Sequence, residues 1–356
     1  MRRTVGQLLL AGFAGPDLPP EIRSLAREFG LGGVVLFRRN VEEPAQVAEL
    51  AYGARTLLPD TPLWVGIDQE GGRVARLRAP FTEWPPMAVL GRAGADEGEA
   101  LARRFARALA VELTAVGVSI DFAPVLDVLT HPANPSIGDR ALAGDAARVA
   151  ALGRAIIEEL QEAGIAACGK HFPGHGDTSV DSHHELPLVE HPPDRLRAVE
   201  FVPFREAIAA GVAGIMTAHL HVPALDEDAP ATLSRRIVTG LLRDELHFDG
   251  LVFTDDMEMN AIAGRYAPGE AAVRAVEAGC DALLICGTDH DRQAAALEGI
   301  IRAVEQDRLP AARVEQALAR HRVAKQRYLA AEPRRPLDAR ALREIVGRLE
   351  HEAVAT

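Results

Sequence analysis

The sequence is short of several things that would set its class at once. Cysteine is scarce: Cys168, Cys280 and Cys286 are all there are, and they form neither a paired framework nor a C-x-x-C unit. That excludes a disulfide scaffold and leads us to expect a reducing compartment. No run approaches the ~18 uninterrupted apolar residues that a membrane helix requires. Blocks of like charge are missing too. The 39 Lys and Arg are scattered among 51 Asp and Glu, for a net charge of -12, so no basic footprint invites nucleic acid or an anionic membrane. Linker-like stretches and internal repeats are also missing. Arg2 and Arg3 ahead of the apolar Leu8–Ala14 loosely imitate a signal peptide. That stretch is short, is interrupted by Gly12 and lacks a small-x-small cleavage site before Pro16. A cytoplasmic protein is expected.

What is present is ordinary globular material, 48% hydrophobic and 25% charged, enough for one large α/β domain or two smaller ones. Short β-rich apolar runs alternate with helical spacing from end to end. The expected strands are Gln7–Ala11, Gly33–Phe37, Leu63–Asp68, Ser119–Pro124, Ala166–Lys170, Gly214–His219, Gly250–Asp255 and Ala282–Cys286. Between them Leu101, Phe105, Leu109 and Leu113 recur with helical period, as do Val149, Leu152, Ile156 and Leu160 behind an Asp145 N-cap. Ser234 is expected to cap a helix carrying Ile237, Leu241 and Leu242. Pro203 is expected to open one that runs through Ile208 and ends near Gly211.

Strands apolar on both faces and separated by helices imply a parallel sheet covered by helices. About eight such units favour a closed (β/α)₈ TIM-type barrel, with an open doubly wound sheet as the competing arrangement. After Cys286 only helical sequence remains, at 291–305, 311–330 and 338–352. Residues 1–356 are therefore expected to form a single domain, with 290–356 mostly helical.

Polar residues collect where the apolar runs end: Asp68, Asp127, Lys170 with His171, His219, and Asp255 with Asp256. In a barrel those strand ends meet at one rim, so the polar groups would converge on one pocket. The densest segment, Lys170 through Pro187, holds His171, His175, His183, His184, Asp177 and Asp181 around Pro173, Gly174 and Gly176. A metal site is the first thought for such a cluster. Pro173 and Gly174 disfavour the helix that would face His171 and His175 together, and zinc sites favour helical or strand-paired ligands. A polar loop bonded to itself is the bland alternative.

These residues resemble the family 3 glycoside hydrolases, in particular the β-N-acetylhexosaminidase branch. The resemblance rests on K-H-F-P-G-H-G from Lys170, then Asp181-Ser182-His183, on G-I-D-Q-E-G-G-R at Gly66–Arg73 and on F-T-D-D-M at Phe253–Met257. The run Leu233-Ser234, Leu241-Leu242 and Phe248-Asp249-Gly250-Leu251 is similar as well. The match spans about Leu31 to Cys286 and is highly specific. It implies Asp255 as nucleophile, preferred over Asp256 because the family places the nucleophile first in that pair. Alternation along a strand does not decide between them. It implies His183 as general acid/base, oriented by Asp181, on a loop that closes over substrate. Asp68, Arg76, Arg140, Lys170 and His171 are implied as substrate-binding groups, with Met216 and His219 lining the pocket. Neither a metal nor an organic cofactor is implied. After Arg140 the sequence departs from the usual form, with Ala141-Leu142 in place of Ser-Phe.

The expected activity is retaining hydrolysis of terminal β-linked N-acetylglucosamine, on small carbohydrates such as GlcNAc-containing muropeptides from the recycled cell wall. Phosphorolysis competes, because an imidazole does not repel an incoming phosphate as a carboxylate does. A non-catalytic sugar-binding barrel is the third reading, and it would require a broken nucleophile or dyad.

Overall fold

The computed structural model describes residues 1–180, 182, 185–331, 337, 340–342, 344 and 345. Within them ten strands follow in chain order: β1 Leu9–Ala11, β2 Gly33–Leu36, β3 Trp64–Ile67, β4 Gln69–Gly71, β5 Val74–Ala75, β6 Ile120–Asp121, β7 Ala166–Phe172, β8 Gly214–Thr217, β9 Leu251–Asp256 and β10 Ala282–Ile285. Eight close into a parallel barrel in the order β1-β10-β9-β8-β7-β6-β3-β2, while β4 and β5 make a small antiparallel hairpin. Each expected strand segment coincides with one barrel strand, β7 and β9 running two and one residues past the expected ends, and the open sheet is excluded. The hairpin lies in a segment where no strand is expected from the sequence. Gly71 and Gly72 turn it, at φ 105° and 57°, a region costly for side-chain-bearing residues.

Alternation sorts the strand residues into two apolar layers. Leu10, Val35, Trp64, Met216, Leu251, Phe253 and Leu284 point into the barrel, where Phe122 meets Phe253 edge-on at 5.6 Å. Their neighbours Leu9, Val34, Val65, Ile215, Val252 and Leu283 point outward, under the helices. Filled this way, the barrel interior is core and not channel. Glycine makes room for the two rings. A Cβ on Gly66 would stand 2.9 Å from Phe122, and one on Gly214 would stand 2.7 Å from Phe253.

Helix boundaries follow familiar local chemistry. Pro20, Pro44 and Pro268 occupy first turns, where the missing N–H costs nothing. Asp145 caps the helix Ala146–Glu162 by accepting from the Arg148 amide at 2.8 Å. Ser234 accepts from the Ile237 amide at 3.1 Å, as a cap should, but Arg236–Glu245 is wound as a π-helix. That wider turn still buries Ile237, Val238, Leu241 and Leu242. The helix expected from Pro203 opens two residues earlier, at Phe201, and ends at Ala209. At the chain's end, His290–Glu305 and Ala311–Tyr328 match the first two expected helices. The third, 338–352, falls largely outside the described residues. From Ala311–Tyr328 and just beyond, Ala324, Tyr328 and Leu329 pack onto the interior layer and close the N-terminal end of the barrel. Among the described residues no helix is long and apolar enough to cross a membrane.

Candidate active site

Two irregularities in strand pairing shape the carboxyl-terminal rim. Between β7 and β8 the register shifts from Lys170↔Met216 to Phe172↔Thr217, so His171 is an extra residue. Between β9 and β10 it shifts from Phe253↔Ala282 to Asp256↔Leu284, which places the extra residue at Thr254 or Asp255. Bulges of this kind re-aim side chains that simple alternation would send to opposite faces.

An ion network floors the site. Lys170 Nζ donates to Asp68 at 2.8 Å and reaches Glu70 at 2.6 Å. Arg76 donates to the other oxygen of Asp68 at 3.0 Å and lies 5.1 Å over the Phe37 ring. Arg140 grips Glu70 with two bonds, at 2.9 and 2.8 Å. Burial opposes these charges, but Lys170 and Arg76 hold the Asp68 carboxyl far below the carboxylate range. Burial acts likewise on Glu70, and Arg140 and Lys170 outweigh it, bringing that carboxyl to about 2. Fully desolvated ions persist only when paired and hydrogen-bonded in this way.

Asp127 organises the neighbouring segment. One of its oxygens accepts from the His171 amide at 3.2 Å and the His175 amide at 2.7 Å. The other receives a bond from His171 Nδ1 at 2.7 Å. A carboxylate only accepts, so Nδ1 of His171 carries the proton, and Nε2 lies 3.5 Å from Arg140. The Asp68, Arg76, Arg140, Lys170 and His171 named from sequence are therefore brought together.

The adjacent acids of β9 have different surroundings. Asp256 turns one oxygen to the Glu258 and Cys286 amides, at 3.0 and 3.1 Å, and burial lifts its carboxyl to about 6. Asp255 accepts from the Asp256 amide at 2.8 Å. Burial disfavours its charge, yet His171 and His219, with that amide and Lys170, keep its carboxyl below the ordinary range. Asp255 is thus the member of the pair that shares the field of the ion network. His219 is fully buried, its Nε2 donating to the Asp256 carbonyl at 3.0 Å and its Nδ1 2.8 Å from the Thr232 hydroxyl. Met216 is 3% exposed and belongs to the apolar layer beneath the network.

Asp181, His183 and His184 lie outside the described residues. Ser182, between the first two in sequence, is described: its carbonyl accepts from the Ala261 amide at 3.3 Å, and its hydroxyl is 3.4 Å from His175. Ala261 follows Asp255 by six residues. His175 bonds within its own loop, whereas Asp177 is held from outside it. His175 pairs with the Thr178 hydroxyl at 2.7 Å, and burial takes its ring down to about 4. Asp177 is held by Thr130 and His191. Glu70 and Asp127 were not assigned by the sequence reading, although Glu70 sits inside G-I-D-Q-E-G-G-R and Asp127 ends its strand segment. The departing pair Ala141-Leu142 is buried at 1% each, packed into the core below Arg140.

Comparison with known proteins agrees with this geometry. The model of the glycosyl hydrolase family 3 N-terminal domain matches residues 1–324. A β-hexosaminidase of Pseudomonas aeruginosa is 41% identical over 81% of this chain and 84% of its own length. One from Thiobacillus denitrificans is 42% identical over 80% and 79%. Among solved structures, a family 3 β-N-acetylglucosaminidase from Paenibacillus sp. superposes with a TM-score of 0.91 at 44% identity, over 98% of this chain and 68% of that one. NagZ of Neisseria gonorrhoeae, in complex with N-trifluoroacetyl-D-glucosamine, gives 0.80 at 29% identity, over 100% and 98%. A barrel with this rim, matched along nearly its whole length, leaves one conclusion: the chain belongs to glycosyl hydrolase family 3 and is a glycoside hydrolase.

Proposed function

We propose that this enzyme is a retaining β-N-acetylhexosaminidase that removes terminal β-linked N-acetylglucosamine, with GlcNAc-containing muropeptides as its cytoplasmic substrates. Residues 1–356 act as one catalytic barrel domain. The observation that carries the reading is the setting of Asp255, an ionised carboxylate at a strand end beside His171, His219 and Lys170. Names of relatives on both sides of the comparison support the sugar class.

Asp255 attacks the anomeric carbon as the glycosidic bond breaks, forming a glycosyl ester. His183, protonated and oriented by Asp181, gives its proton to the departing oxygen. Water then attacks the same carbon, giving up a proton to His183 as the ester bond to Asp255 breaks; the second inversion cancels the first, so configuration is retained. Cationic His183 needs a neighbouring carboxylate to stay charged near neutrality, because a free imidazole titrates near ~6.5. Asp68, Arg76, Arg140, Lys170 and His171 hold the sugar hydroxyls in charge-assisted hydrogen bonds. Glu70 and Asp127 hold those groups in turn, and Met216 and His219, both buried, support the pocket from beneath.

A slow fluorinated GlcNAc donor tests the proposal by trapping the ester. Label on the peptide containing Asp255, at that residue, is the expected result. Label on Asp256, or none while turnover persists, would overturn it. Free GlcNAc as the product with and without phosphate is expected, whereas GlcNAc 1-phosphate would show phosphorolysis.

A further inference from the structure

At the end of the barrel opposite the rim lies a cavity of about 870 Å³, between the helix Ala311–Tyr328 and the turn at residues 56–62. Its volume is that of a small-molecule site. Three cations line it: Arg55, Arg322 and Lys325. Lys325 is 8% exposed and donates to Gln7 at 2.7 Å and to the Gly32 carbonyl at 2.9 Å. Arg55 reaches the Ala331 carbonyl at 3.2 Å, and its Nε is buried without a partner. Among the described residues none of the three has a carboxylate within ion-pair distance. Among the described residues the one acid lining the cavity is Asp60, which is exposed and forms no ion pair.

On the same helix Arg313 and Arg320 meet Asp281, at 2.7 and 3.3 Å, while Arg327 lies over the Tyr328 ring. A buried ammonium without a counter-ion is costly, and among the described residues Lys325 has none, only the Gln7 and Gly32 oxygens. An anion in the cavity would offset that cost, with Arg55 and Arg322 on the same lining. Leu58, Pro62, Leu318 and Leu329 supply an apolar wall beside them.

We infer that this cavity is a second ligand site, distinct from the rim, which takes a small organic anion. Its carboxylate or phosphate lies against Lys325, Arg55 and Arg322, and its apolar body lies against Leu58 and Leu318. Binding is linked to protons. Burial alone brings the Lys325 ammonium down to about 7, and a bound anion restores its charge, so binding takes up a proton above neutrality. The other ionisable groups facing the cavity are His321 and Arg322 on the same helix, Arg55 on the helix Pro44–Arg55, Tyr52 one turn before it, and Asp60 on the turn. His321 is fixed by its bond to the Asp281 carbonyl at 3.0 Å.

Calorimetric titration of the full chain with phenyl phosphate, benzoate and benzyl alcohol tests the inference and separates phosphate from carboxylate. The expected result is one-to-one binding of at least one anion and none of the neutral alcohol. Heats should differ between buffers of unlike ionisation enthalpy by the amount one proton taken up requires. Lys325→Met should weaken binding by about 30-fold or more, the scale for truncating one partner of a buried charge pair. Arg322→Ala, at an exposed position, guards against a folding artefact and should also weaken it, with turnover of an aryl β-GlcNAc unchanged in both. No anion binding, or binding equal in wild type and both variants, overturns the inference.

Discussion

Glu70 is the buried carboxylate most heavily committed in the site, and replacing it by Gln tests the network directly. Its side chain is 1% exposed and faces two cations, Arg140 through two bonds and Lys170 at 2.6 Å. Gln keeps the shape but removes the charge, and its amide N–H₂ must then point at a donor. Removing one partner of a buried ion pair costs about 3–5 kcal/mol. A second route gives a similar figure: a fall of the carboxyl from 4.5 to about 2 is worth about 3 kcal/mol, at roughly 1.4 kcal/mol per pH unit. The pH window follows from the sign. A depressed carboxyl contributes stability that is fully present above its unfolded value of 4.5 and is lost as pH falls toward about 2. Urea unfolding at neutral pH should therefore show Glu70→Gln less stable by about 3 kcal/mol, with the gap to wild type narrowing below pH 4.5. A gap under about 1 kcal/mol, typical of a surface pair, or one that stays constant into acid, would refute the reasoning.

Asp255→Asn should abolish turnover of an aryl β-GlcNAc, while Asp256→Asn keeps the bonds to the Glu258 and Cys286 amides. Because the Asp256 carboxyl is raised to about 6, the native acid loses stability as pH rises from 3.8 through 6; thermal melts at neutral pH should find Asp256→Asn at least as stable as wild type. Replacing His183 or Asp181 should slow natural substrates far more than aryl substrates with good leaving groups, since the latter need little acid assistance; equal losses would count against the assigned acid. Gly214→Ala sets a Cβ 2.7 Å from Phe253, and overpacking of this kind costs about 1–3 kcal/mol, readable as a lowered urea midpoint.

The barrel was legible because its strands are apolar on both faces: Leu9 and Leu10, or Val252 and Phe253, serve opposite layers yet carry the same kind of side chain. What periodicity could not reveal were departures from it. His171 and Asp255 sit at register shifts, and a bulge leaves no mark in the spacing of apolar residues. Glu70 stayed unassigned for a related reason, since Gln69–Gly71 pairs in a hairpin whose turn rests on two glycines and which no apolar alternation marks. Asp127 was noticed as a strand-end acid, but its bonds to His171 and His175 depend on how two distant segments meet. The winding of Arg236–Glu245 was hidden because π and α turns bury nearly the same four aliphatic residues.

The stopper formed by Ala324, Tyr328 and Leu329 makes traffic at the rim one-sided. With the axis packed solid and the lower mouth shut, whatever sugar is released at the rim departs by the doorway through which it came. Each departing product thus stands in the path of the next arrival, and clearing that doorway becomes a step the enzyme must complete in every cycle.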